Sequence, residues 1–193
     1  MKNNFYVINV RFILLVILIL SILTIISIAG NQIVDNVIET ASGNKLLPIY
    51  SVEVIDKKVA ITFDCAWGAD DINDIIDILE FNNIYATFFT VGTWVQKYPE
   101  AVQSLSDSGM EIGNHSDSHA HVNKMSFDEN VKDMEKCNSR INEITGEKVK
   151  FYRGPYGEYN NTVIKAAESL NMKVIQWDVD TLDYTRKNYR RNV

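Results

Sequence analysis

The chain has 193 residues, a formal net charge of −6, 46% hydrophobic residues and two cysteines. That acidity argues against nucleic acid or an anionic lipid surface as the main partner, and suits a neutral or amino-sugar ligand. Cys65 and Cys137 are too few to frame a disulfide-built secreted domain, so ordinary apolar packing must supply the core.

Residues 1–11 carry Lys2 and Arg11, and Phe12 to Ala29 then form an apolar run broken only by Ser21, Thr24 and Ser27. The run is at the short end of what spans a bilayer and long for the apolar core of a signal peptide. A buried core helix is seldom apolar on every face. The expectation is an uncleaved transmembrane helix at residues 12–29, with the basic segment 1–11 cytoplasmic and the rest outside the cell membrane. Ser27-Ile28-Ala29 also fits a cleavage site, so secretion after signal cleavage is the alternative. Residues 30–56 have weak periodicity, punctuated by Ser42-Gly43 and Pro48, and read as a linker to a domain at 57–193.

Val59-Ala60-Ile61-Thr62-Phe63 is a short β-branched run, the mark of a buried strand, and it stops at Asp64. Ile72, Ile75, Ile76 and Leu79 make a helical stripe within 70–81, with Asp70 or Asp71 as N-cap. Residues 86–91 predict a second strand, 99–108 a helix closed by Gly109, and 111–114 a third strand. Ser126 and Glu129 have capping-box spacing and open a helix with Val131, Met134, Ile141 and Ile144 inward, ending near Gly146. A brief strand at Phe151-Tyr152, a helix over 161–170 and a strand over 173–177 complete the series. Alternation at this spacing predicts βα units and a mostly parallel sheet, curled or closed.

The carboxyl ends of parallel strands share one rim, and Asp64, His115, Arg153 and the Asp180/Asp183 pair each follow a predicted strand. These four stretches are therefore expected to converge. His115 and His119 are two of only three histidines, and on a helical turn their spacing would place both imidazoles on one face, able to share a cation. Alone, such a pair is as often two polar residues on a solvated turn. Likewise Asp64 alone reads as the start of a turn, Arg153 as a surface cation and Asp183 as a helix cap. Together they point to metal-assisted hydrolysis, in which a cation, a carboxylate base and an arginine act on one water and one carbonyl.

Thr62-Phe63-Asp64, His115-Ser116-x-x-His119, Arg153-x-Pro155-Tyr156-Gly157 and Asp180-x-x-Asp183 occur in the order and spacing of the polysaccharide deacetylases. The stretch from about Lys57 to Tyr184 resembles these NodB-homology enzymes of carbohydrate esterase family 4, and its wording looks most like their sporulation-associated branch. The resemblance implies a deformed (β/α) barrel that removes N-acetyl groups from peptidoglycan or a chitin-like polymer. It implies His115 and His119 as ligands of a divalent metal, zinc or cobalt-like. It further implies Asp64 as general base toward a metal-held water, and Arg153 as the partner that aims Asp64. The Tyr156 backbone N–H would be an oxyanion donor, and Asp183 would orient a catalytic histidine.

Two positions depart from the family pattern. Many members carry a second, metal-binding aspartate where this chain has Cys65, which is either a thiolate ligand or, more commonly for a free cysteine, a small buried residue. The family's closing strand carries a Leu-x-His motif, and no histidine follows His121 here. His121 itself, on the same turn as a ligand, is not expected to replace that acid. The expectation is a C-terminally incomplete barrel with little activity, and the alternative function is a silent relative that binds wall glycan or a protein. Trp67, Trp94, Tyr156 and Tyr184 are the aromatic residues near the expected rim.

Overall fold

The computed structural model describes residue 14, residues 16–27 and residues 45–182. The chain divides into two compact units, Met1–Lys45 and Leu46–Val193. In the first, residues 16–27 are helical with their side chains exposed. Among the described residues no helix is long and apolar enough to cross a membrane. The rest of the Phe12–Ala29 run lies outside the described residues.

The second unit is built on five parallel strands ordered as in sequence: β1 (Thr62–Cys65), β2 (Thr87–Thr90), β3 (Glu111–Asn114), β4 (Phe151–Tyr152) and β5 (Lys173–Val174). Between them run α1 (Ile72–Phe81), α2 (Gly92–Lys97), α3 (Pro99–Asp107), α4 (Phe127–Thr145) and α5 (Asn161–Ser169), with 3₁₀ turns at Val122–Lys124 and Pro155–Gly157. The five strands predicted between residues 59 and 177, and the helices predicted over 70–81, 99–108, 126–146 and 161–170, are present. α2 is additional, because six residues are too few to display a helical stripe. β1 begins later than the apolar run and continues through Asp64 to Cys65. The capping box of Ser126 and Glu129 forms, and Gly146 ends α4 at φ +71°. Asp71 occupies the α1 N-cap position without a side-chain capping bond.

Residues 46–50, within the stretch read as linker, are tied to the far end of the sheet. Ile49 bridges Ile175 in parallel, its N–H donating to the Val174 carbonyl at 2.8 Å. The Leu46 N–H donates to Asn161 Oδ1 at 2.7 Å.

Register and the two-residue period of a strand sort the sheet's faces. Phe63 pairs with Phe88 and Phe88 with Ile112, and the Phe63 and Phe88 rings stack at 4.8 Å; this face carries the apolar core with Trp94, Val95, Val102, Leu105 and Met134. Asp64, Phe89 and Gly113 share the opposite face. Arg153, which follows β4, donates to Thr62 and Asp64 on β1 and also to the Ile175 and Gln176 carbonyls after β5. A flat sheet would separate β4 from β1 by three strand spacings, about 14 Å, too far for one guanidinium placed also against β5. The sheet is therefore strongly curled, with Arg153 inside the curl.

Candidate active site

Curling gathers three of the four predicted stretches. Arg153 is 3% exposed; its Nη1 lies 2.7 Å from Asp64 Oδ1 and 2.9 Å from Thr62 Oγ1, and its guanidinium sits 4.1 Å above the Phe89 ring. Close approach of Phe89 depends on Gly113, where a Cβ would come within 2.6 Å of the ring. The other Asp64 oxygen faces His115 Nε2 across 3.8 Å. The Arg153 carbonyl lies 2.7 Å from His115 Nδ1 and can only accept, so Nδ1 carries the proton and Nε2 presents its lone pair.

His119 is brought to His115 by a strained loop rather than by the helical turn expected. Ser116 and His119 stand at φ +67° and +58°, left-handed values that cost a non-glycine residue on the order of 1 kcal/mol or more each. A helix cannot form here because the backbone is claimed by other partners. The Gly92 and Thr93 N–H groups donate to the Ser116 and Asp117 carbonyls, and the His119 N–H donates to Ser116 Oγ. The two imidazole centroids are 5.2 Å apart. Burial lowers the pKa of His115, against the opposing pull of Asp64, and burial lowers that of His119 as well. Both rings are thus held neutral, the state in which imidazole binds metal.

Two neutral imidazoles, one with Nε2 freed by its Nδ1 bond, fit a divalent cation that retains open positions. Among the described residues no group of three or more His, Cys, Asp or Glu is placed to hold one. Cys65 does not complete such a group. As Asp64's neighbour it turns to the other sheet face and joins the apolar core, and burial followed by the nearby Asp64 pushes its thiol up to about 12.

Tyr156 lies in the turn after Arg153 at φ 60°, and its exposed ring is 4.7 Å from His119. Trp67, also exposed, is 5.8 Å from the same imidazole. Trp94 is not a rim residue: it is 2% exposed and its Nε1 donates to the Gly68 carbonyl. His121 stacks on Tyr156 at 4.5 Å with its Nδ1 2.7 Å from Glu158 Oε1. Glu158 has no periodic or motif signal in the sequence. Its pKa is raised by burial but lowered overall, chiefly by the His121 bond and the Asn123 N–H. Asp180 is exposed and accepts from the Leu182 N–H, whereas Asp183 and Tyr184 lie outside the described residues.

The polysaccharide deacetylase profile matches residues 51–175, well over half the chain. The chain belongs to the polysaccharide deacetylase family. A peptidoglycan-N-acetylglucosamine deacetylase of Bacillus cereus is 36% identical over 127 residues, covering 66% of this chain and 46% of the relative. The peptidoglycan-N-acetylmuramic acid deacetylase PdaC of Bacillus subtilis is 34% identical over 138 residues, covering 72% of this chain and 29% of the relative. Among solved structures, a carbohydrate esterase family 4 pseudoenzyme from Bacillus anthracis superposes with a TM-score of 0.70 at 34% identity, over 72% of this chain and 50% of that one. A mutant of that pseudoenzyme with restored enzymatic activity superposes equally well. The chain spans less than half the length of these curated relatives. As a member of that family, it has the α/β fold and parallel sheet, with Asp64 and Arg153 inside the curl.

Proposed function

We propose that the chain carries the N-deacetylase site of an exported, cell-wall-directed enzyme acting on a peptidoglycan-type or chitin-like polymer. The observation that carries this reading is the continuous contact from Arg153 through Asp64 to His115, with His119 alongside. His115 and His119 would hold a divalent cation, zinc or a similar ion, which when bound supplies Lewis-acid polarisation and acidifies water. The residues' own work follows from their placement. Asp64, aimed by Arg153, takes the proton of the attacking water. The backbone N–H of Tyr156 is assigned to the developing oxyanion. Attack at the acetyl carbon and loss of the C–N bond release acetate and leave a free amine on the sugar. Asp183 is assigned the orientation of the acid that protonates that amine. The exposed Trp67 and Tyr156 rings beside His119 suit stacking on sugar faces. The curled sheet fits a deformed barrel, and the N-terminal apolar run fits membrane attachment or export.

A second reading, glycan binding without turnover, is favoured by the burial of Cys65 in the core and by likeness to a family pseudoenzyme. Acetate release from N-acetylated chito-oligosaccharide, with zinc supplied, separates the two. Turnover that falls at least ~100-fold in Asp64→Asn supports the deacetylase. No acetate release, together with glycan pull-down that survives Asp64→Asn, would establish the binder instead.

A further inference from the structure

Between the two histidines in sequence stands a carboxylate that the chemistry above does not use. Asp117 is 3% exposed, although it sits in the loop that carries His115 and His119. Its Oδ2 is 2.7 Å from Lys136 Nζ, and its Oδ1 is 3.2 Å from Arg140 Nε, held there by charge. Its backbone N–H donates to Asp133 Oδ2 at 2.9 Å and its carbonyl accepts from the Thr93 N–H. Asp133, Lys136 and Arg140 recur at helical spacing on α4, so one helix face supplies three of the four contacts. Arg140 also donates to the Gly92 carbonyl at 2.9 Å, joining α4 to α2 beneath the loop. The fit leaves no slack: a Cβ on Gly92 would overlap Asp117 Oδ1 and lie 3.0 Å from its Cα.

We infer that Asp117 is a positioning residue, whose buried carboxylate, clamped by Lys136 and Arg140, holds the His115–His119 loop in the shape that brings the two imidazoles together. This rests on the reading of those imidazoles as cation ligands. Left-handed backbone at two non-glycine residues persists only where the surroundings over-determine it. Ser116 and His119 are those residues, and they bracket Asp117. Asp117 is the buried member of the pairing, its side chain 5% exposed against 59% for Lys136 and 20% for Arg140, so moving the loop would leave a carboxylate unpaired out of water. Outer groups of this kind govern how well ligands meet a metal without touching it.

The test is zinc titration of the full chain by calorimetry, beside hydrogen exchange of the 115–119 segment and thermal unfolding. Asp117→Asn keeps the shape and removes the charge. Zinc affinity is expected to fall about 10- to 100-fold, with faster exchange in the loop and a retained cooperative unfolding transition. A merely structural aspartate would lower the unfolding temperature and leave the affinity of the folded protein unchanged; that result overturns the inference. Should Asp117→Asn not fold, Lys136→Met replaces it. A several-fold loss of affinity supports the clamp, and unchanged affinity overturns it. Binding of zinc that is indifferent to His115→Ala and His119→Ala would sink the metal reading itself, and the inference with it.

Discussion

At Arg153 one guanidinium makes contacts that elsewhere would need several side chains. It reaches Asp64 at 2.7 Å and Thr62 at 2.9 Å, accepts shelter from the Phe89 ring at 4.1 Å, and donates to the Gln176 carbonyl at 3.3 Å. The charge pair itself is a modest source of stability, since the Asp64 side chain is 37% exposed and water screens it. The larger cost of losing Arg153 falls on the groups that water does not reach, namely the carbonyl of the buried Gln176 and the packing over Phe89. Arg153→Met is therefore expected to lower unfolding free energy by roughly 2 kcal/mol, near the cost of orphaning a buried acceptor. It should also release the Asp64 side chain from its single orientation. A shift of the urea midpoint at constant m-value would show this, and an unshifted midpoint would contradict it. Arg153→Lys should not rescue, because a single ammonium cannot span carboxylate, hydroxyl and carbonyl from one buried stem.

At the scale of elements, β3 shows how packing and chemistry share one strand. Gly113 lies opposite Phe89 in the register, and its missing side chain is the space into which the Phe89 ring fits. Gly113→Ala would put a Cβ 2.7 Å from ring atom Cε1 and 3.3 Å from the Phe151 carbonyl, so ring or backbone must move. Overpacking of that kind costs about 1–3 kcal/mol, and here the displaced ring is the floor under Arg153. The expected result is a lowered urea midpoint, and a variant as stable as the parent would refute the packing argument. Much of this arrangement was legible in the sequence. β-branched runs and helical stripes marked the strands and most helices, and the carboxyl-end rule placed Asp64, His115 and Arg153 together. What pattern could not reach was anything decided by long-range partners. The His115–His119 spacing read as a helical turn, yet bonds from Gly92 and Thr93 hold it as a loop. Asp133, Lys136 and Arg140 belong to no motif, yet they converge on a buried aspartate. Cys65 could be read as a thiolate ligand or, more commonly, as a small buried residue; the strand period turns it from Asp64 into the core, as the second reading has it.

For the molecule as a whole, the site stores a pH dependence whose sign can be worked out. His115 and His119 both have folded pKa values below the ordinary 6.5, burial being the first cause in each case. The unfolded chain therefore binds more protons than the folded one as pH falls below that value, and stability rises with pH across the window. The contribution is complete above the unfolded value and is lost as pH drops through the lowered folded values. Asp133, raised by burial from 3.8, acts with the opposite sign, losing stability as pH rises through its folded value. It therefore offsets part of any histidine slope where the two windows overlap. Subtracting a variant isolates the histidine share. In chelator, so that no cation competes for the rings, the urea midpoint should fall between about pH 7.5 and about pH 5.5. His115→Gln, which can still donate to the Arg153 carbonyl without gaining a charge, should show a shallower fall over the same range. Parallel slopes for the two proteins would mean that the buried imidazole is not what couples the fold to protons, and that the neutral, ligand-ready state of His115 is not enforced by its burial.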